Sequence, residues 1–200
     1  MTRKVGFLEE PGQKGPVKTP SVLKRLNAKV RARVEQVKFL ILDVDGVMTD
    51  GRLFYHDDGT ESKTFDVRDG HGIKMLKHAG IETAIISGRT CPSVDKRAAD
   101  LGISDVIQGV RDKMPVLEKI LSERRLKPEE IAFVGDDLVD LSVMNRVGFA
   151  VAVADASEYL FDTAHYVTLA PGGRGAVREV AEIILGVKGL WNKVAGAYFD

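Results

Sequence analysis

Phe39-Leu-Ile-Leu-Asp-Val-Asp-Gly-Val-Met-Thr-Asp-Gly51 decides the fold of this chain. Four apolar residues in a row, Phe39 to Leu42, read as a strand buried on both faces, the pattern of a central strand in a parallel sheet. Two carboxylates, Asp43 and Asp45, leave that strand together. Alternate residues of an extended chain point the same way, so the two converge, and like charges so close require a cation or a shared proton.

Beyond this stretch, short apolar runs alternate with amphipathic ones. Thr83–Ile86, Val106-Ile107, Ile131–Val134 and Ala150–Val153 read as further strands, with helices predicted near 71–79, 92–101, 112–124, 138–146 and 175–185. Such alternation predicts an α/β fold, a Rossmann-like parallel sheet with helices on both faces and ligands at the carboxyl ends of the strands. One interruption follows the first strand. Arg52–Tyr55 and Ser62–Phe65 flank His56-Asp57-Asp58-Gly59, which predicts a β-hairpin closed by an Asp-Gly turn, placed to line or cover the ligand site.

A second acidic cluster, Gly135-Asp136-Asp137 with Asp140 one turn on, follows the strand ending at Val134. Both clusters therefore fall at one edge of the sheet, and hard oxygen donors with room for water and phosphate suit Mg²⁺. Between them, Ile86-Ser87-Gly88-Arg89 ends another strand with a hydroxyl and backbone N–H groups able to hold a phosphate oxygen. Lys113, where the helix near 112–124 opens, adds a point charge for the carboxylates and the phosphoryl group.

Composition narrows the class. At 200 residues and 44% hydrophobic the chain suits one domain, and no apolar run approaches the roughly 20 residues of a membrane span. No secretory signal is legible at the polar N-terminus. Cys91 is the sole cysteine, which points to a reducing, cytoplasmic setting, and reads as a small residue at a helix start. The 29 basic and 29 acidic residues balance, but residues 1–38 carry ten Lys/Arg against three Asp/Glu, leaving an acidic body. That suits cation binding and argues against nucleic acid or membrane as partner.

We divide the chain into an N-terminal extension, residues 1–37, and the main domain, residues 38–200. Residues 1–19, with Pro11, Gly12, Gly15 and Pro16, favour a loosely held segment. A basic amphipathic helix follows, with Thr19 as cap, Pro20 in the first turn and Val22, Leu26, Val30 and Val34 forming an apolar stripe that needs a partner surface. Near the C-terminus, Trp191 could pack on a neighbouring subunit or on its own chain.

These elements, in this order, resemble the haloacid dehalogenase superfamily of phosphatases from about Phe39 to about Ala181. Together with Val67-Arg68-Asp69-Gly70-His71-Gly72, Val151-Ala-Val-Ala-Asp155 and Gly172-Gly-Arg-Gly-Ala-Val-Arg-Glu179, they resemble one branch, the 3-deoxy-D-manno-octulosonate 8-phosphate phosphatases, with acylneuraminate-phosphate relatives close by. The resemblance implies Asp43 as nucleophile, Asp45 as acid and base, and Ser87 and Lys113 on the phosphoryl oxygens. It implies Mg²⁺ held by Asp43, the Asp45 carbonyl and Asp136, with Asp137 and Asp140 supporting. It implies no large cap domain, and a homotetramer whose hairpins and C-terminal segments complete neighbouring sites. Arg68, Gly88, Arg89 and Arg174 are then candidates for binding a sugar-acid phosphate, with the glycines around Arg174 suggesting a mobile closing tail. A phospho-receiver domain is the alternative from another class, but there the acidic pair comes on the first strand and the lysine last; here Asp136-Asp137 follows Lys113.

Overall fold

The computed structural model describes residues 17–196. Six parallel strands form one sheet: β1 (Phe39–Leu42), β4 (Glu82–Ile86), β5 (Asp105–Ile107), β6 (Ile131–Gly135), β7 (Phe149–Ala152) and β8 (Tyr166–Val167). Their order is β5-β4-β1-β6-β7-β8. The chain runs outward from β1 through β4 to β5, then returns to the other side of β1 with β6. The strand order thus reverses at β1, where open α/β sheets bind their ligands.

Register aligns the strand ends. Leu42 lies opposite both Ile85 and Val134, so Asp43, Ser87 and Asp136 emerge within a residue or two of one another. β1 alternates its side chains: Leu40 and Leu42 join the core beneath α1 (Ala28–Gln36), α2 (Val67–His78), α3 (Pro92–Leu101) and α6 (Ala176–Val187). Phe39 and Ile41 face the opposite layer, under α4 (Met114–Arg124) and α5 (Leu141–Met144). Among the described residues no helix is long and apolar enough to cross a membrane.

The N-terminal helix is not continuous. A 3-10 turn, Ser21–Arg25, precedes α1, and Leu26 and Asn27 between them are extended. Pro20 precedes that turn without a side-chain cap; the cap comes instead from Asn27, whose side chain accepts from Val30 N at 2.9 Å. An asparagine that satisfies a helix start competes with continuation through it. Val22, Leu26, Val30 and Val34 are nonetheless all buried, and Leu23 seats directly on Gly186 of α6. The partner surface is therefore on the same chain, and burial of each such side chain contributes about 1.5–3 kcal/mol.

Two other helices depart from expectation. α2 starts at Val67 rather than near 71, because Asp66 caps it by accepting from Arg68 N at 2.6 Å. Gly70 and Gly72 lie within it, and Gly72 allows contact with the Arg178 backbone and Ala181 on α6. The stretch 138–146 becomes a 3-10 turn, Leu138–Asp140, followed by the short α5. The hairpin forms as β2 (Phe54–Tyr55) and β3 (Glu61–Ser62), shorter than predicted, with Gly59 at φ +82° in its turn. α7 (Trp191–Ala195) packs within the chain: Trp191 Nε1 donates to the Lys18 carbonyl at 3.1 Å.

Candidate active site

At the carboxyl edge of β1, β4 and β6 a cleft of about 240 Å³ is lined by Asp43, Asp45, Gly51, Ser87, Gly88, Arg89, Lys113, Asp136, Asp137 and Val139. Asp43 follows β1 and its N–H donates to the Val134 carbonyl at 3.1 Å, extending the ladder by one residue. Its carboxylate accepts from Lys113 Nζ at 2.6 Å, and the same ammonium donates to Asp140 at 2.6 Å. All three side chains are buried.

One lysine serving two carboxylates explains the electrostatics. Burial pushes Asp43 up to about 6, against the pull of Lys113 and with the help of Asp140. Burial would depress the Lys113 ammonium, but Asp43 and Asp140 outweigh it and its pKa is raised. Asp136 is pushed up to about 8, first by burial and then by Asp43, Asp140 and Asp137. Carboxylate oxygens of Asp43, Asp136 and Asp140 lie within 4.8 Å of one another. An all-oxygen set with a surplus of negative charge fits a hard divalent cation such as Mg²⁺. Asp140 is already engaged by Lys113 and by the N–H groups of Asp136 (3.0 Å) and Asp137 (3.5 Å), leaving Asp43 and Asp136 freer to act as ligands.

Asp45 turns toward the hairpin side. Lys63, just beyond β3 and missed in the sequence reading, bonds its carboxylate and also Glu61 at 2.8 Å. Arg89 pairs with Glu61 at 2.5 Å, donates to the Tyr55 hydroxyl at 3.2 Å and lies 4.0 Å from Asp45. The hairpin is thus tied to the cleft of its own chain. Ser87 is buried at the end of β4, its N–H bonded to the Ile107 carbonyl and its carbonyl to Val110 N. Cys91 is buried at the N-cap of α3, as a helix-start residue.

Arg68 and Arg174 do not enter this cleft. Arg68 pairs with Asp66 at 2.9 Å and donates to the Arg174 carbonyl at 3.2 Å, while Arg174 lies 3.4 Å from Asp50. Both line a separate cavity of about 430 Å³ with Asp50, Thr64, Phe65, Asp66 and Gly173. Nor is the Gly172–Gly175 segment a loose tail. Gly173 N donates to the Val47 carbonyl at 2.9 Å and Gly172 N to Asp155 at 2.8 Å. These glycines serve close backbone approach, since a Cβ on Gly172 or Gly173 would collide with the backbone of residues 46–50.

A carboxylate beside a lysine and a cation site, a second carboxylate two residues on and a hydroxyl at the next strand end form an arrangement suited to phosphoryl transfer. The profile of haloacid dehalogenase-like hydrolases matches residues 102–178. The 3-deoxy-D-manno-octulosonate 8-phosphate phosphatase of Escherichia coli is 45% identical over 171 residues, covering 86% of this chain and 91% of that enzyme. Its Yersinia pestis counterpart is 48% identical over 153 residues, 76% of this chain and 82% of the other. The crystal structure of the Moraxella catarrhalis phosphatase of the same name, in complex with magnesium, phosphate and 3-deoxy-D-manno-octulosonate, superposes with a TM-score of 0.83 at 38% identity. That match covers 85% of this chain and 98% of the other. The chain therefore belongs to the haloacid dehalogenase-like hydrolases, within the family of 3-deoxy-D-manno-octulosonate 8-phosphate phosphatases.

Proposed function

We propose that this chain is a Mg²⁺-dependent phosphatase that hydrolyses 3-deoxy-D-manno-octulosonate 8-phosphate to 3-deoxy-D-manno-octulosonate and phosphate. The observation that carries the reading is the buried Asp43–Lys113–Asp140 cluster beside Asp136, with Asp45 two residues from Asp43. An Asp43 oxygen attacks phosphorus in line and the P–O bond to the sugar breaks. Asp45 gives its proton to the departing alkoxide, then takes one from the water that attacks the aspartyl phosphate and frees Asp43. Ser87, with backbone N–H groups at Gly88 and Arg89, and Lys113 hold the phosphoryl oxygens.

Asp43, Asp136 and the Asp45 carbonyl would hold Mg²⁺, which supplies charge neutralisation between an anionic nucleophile and an anionic phosphate. Asp140 orients the set through Lys113 and the Asp136 N–H, and Asp137 supports it.

The unit is a cytoplasmic homotetramer acting in lipopolysaccharide precursor synthesis. Exposed Phe54 and Tyr55 on the hairpin favour an interface, since large apolar side chains rarely cluster on a free surface. The place of Arg68 and Arg174 outside their own cleft fits a role toward the substrate in a neighbouring copy, where a guanidinium grips carboxylate or phosphate. The lone Cys91 suits a reducing compartment. The related nine-carbon keto-sugar acid 9-phosphates are the competing substrates.

The test is kcat/KM for the eight-carbon and nine-carbon phosphates with Mg²⁺. The eight-carbon substrate should be preferred roughly tenfold or more, the scale that one group in a site supplies. Equal or better turnover of the nine-carbon phosphates would overturn the substrate assignment.

A further inference from the structure

The turn that carries Asp45 is held between two surfaces. Within the turn, N–H groups of Val47, Met48 and Thr49 converge on the Val44 carbonyl at 3.2, 2.9 and 3.0 Å. On its inner side, Gly46 lies so close to the Asp136 carboxylate that a Cβ would collide with it. On its outer side, Gly172 and Gly173 press on the backbone of residues 46–50, and Gly173 N donates to the Val47 carbonyl. The position of Asp45 relative to Asp43 and Asp136 therefore depends on where the Gly172–Gly175 segment stands.

That segment is anchored from a distance. Asp69, buried in the first turn of α2, accepts from Gly175 N at 3.2 Å and from Arg178 N at 2.7 Å. It caps α6 in place of a local side chain, as Gly175 offers none. The upstream end is fixed by Glu179, which accepts from Leu169 N and Ala170 N. Asp69 does not line the Asp43 cleft. Its two bonds nonetheless fix the end of the segment that braces the Asp45 turn.

We propose that Asp69 is a positioning residue for proton transfer by Asp45, acting through the Gly172–Gly175 segment; this rests on the reading of Asp45 as acid and base. Loss of the carboxylate leaves two N–H groups at the start of α6 unpaired and releases the brace. Asp45 then loses its aim at the leaving oxygen, while Asp43 and Lys113, held by β1 and α4, keep theirs.

Leaving-group dependence separates this from general destabilisation. Nitrophenolate departs without a proton and phenolate needs one, and neither aryl phosphate carries a carboxylate that Arg68 could bind. The experiment measures kcat/KM, which reports only the steps up to departure of the leaving group, with saturating Mg²⁺ on phenyl and p-nitrophenyl phosphate for the parent, Asp69→Ala and the isosteric Asp69→Asn, which carries the test if the alanine variant folds poorly. We expect kcat/KM on phenyl phosphate to fall about tenfold further than on the nitro compound, within the roughly 10²–10⁴-fold that general acid catalysis supplies. In an Asp45→Asn background the Asp69 substitution adds no further change in that ratio. Parallel losses on both substrates, or no loss on either, overturn the proposal while leaving the phosphatase reading intact. A parent that releases phosphate from neither aryl ester nor from 3-deoxy-D-manno-octulosonate 8-phosphate overturns both.

Discussion

Lys113 and Asp43, 70 residues apart in the chain, meet at 2.6 Å in the buried floor of the cleft. The lysine stands at the start of α4 and the aspartate at the end of β1, so their contact fixes the helix against the sheet edge. Because Asp140 shares the ammonium at 2.6 Å, removing it exposes two carboxylates to each other. Lys113→Met keeps the stem and deletes the charge. We predict a fall in kcat of roughly 10²–10³-fold, the loss typical of a deleted electrostatic contact to the reacting group. In metal-free protein, leaving the buried partners unpaired costs on the order of 3–5 kcal/mol. Steady-state kinetics and thermal melts check both, and unchanged kcat would remove Lys113 from the site.

The acidic cluster makes metal-free stability pH-dependent with a definite sign. Asp136 is raised from an ordinary value of 3.8 to about 8, so the folded chain keeps a proton that the unfolded chain has shed. Below 3.8 both states hold that proton and this group imposes no penalty; the penalty grows until about pH 8 and is then constant. The melting temperature with chelator therefore falls across this window relative to Asp136→Asn, and added Mg²⁺ restores more stability at pH 8 than at pH 5. Cation binding also releases protons, measurable as a buffer-dependent enthalpy. A melting difference that does not change with pH would contradict the buried cluster.

Gly46 stands at φ +87°, and a Cβ there would strike the Asp136 carboxylate. Gly46→Ala adds backbone strain and displaces Asp136, the proposed metal ligand, in one step. The Mg²⁺ concentration for half-maximal activity should rise by roughly 10–100-fold, as for other disturbed supports of metal ligands. Metal titration of activity checks this, and an unchanged midpoint would show that Asp136 does not hold the cation.

The sheet was legible because its strands are short apolar runs, and the carboxyl-edge groups because strand register leaves little freedom in where Asp43, Ser87 and Asp136 emerge. Lys113 was legible only in that company. Lys63 was not, since a lysine on a hairpin strand, where the sequence places it, reads as solvated and its partner Asp45 lies 18 residues away. The break at Asn27 was hidden by an apolar stripe that continues across it, because packing on α6 does not require an unbroken helix. The Gly172–Gly175 segment misled for a related reason: glycine permits both mobility and close approach, and only the backbone of residues 46–50 decides between them.

The hairpin supplies a test of assembly. Phe54 is 64% exposed, stands edge-on to the His56 ring of the same hairpin and is not among the residues that line the cleft. Phe54→Asp should shift the sedimenting species from four chains to fewer, and activity should fall with it if neighbouring copies complete the site. A parent that sediments as a monomer at assay concentration would contradict the proposed tetramer.

Most directly, Mg²⁺-dependent phosphate release from 3-deoxy-D-manno-octulosonate 8-phosphate can be measured side by side for the parent and Asp43→Asn. The parent should release phosphate steadily, stopped by chelator, and the variant none detectable despite an intact fold. Absence of release from the parent, or release by Asp43→Asn at the parent's rate, would contradict the proposed function.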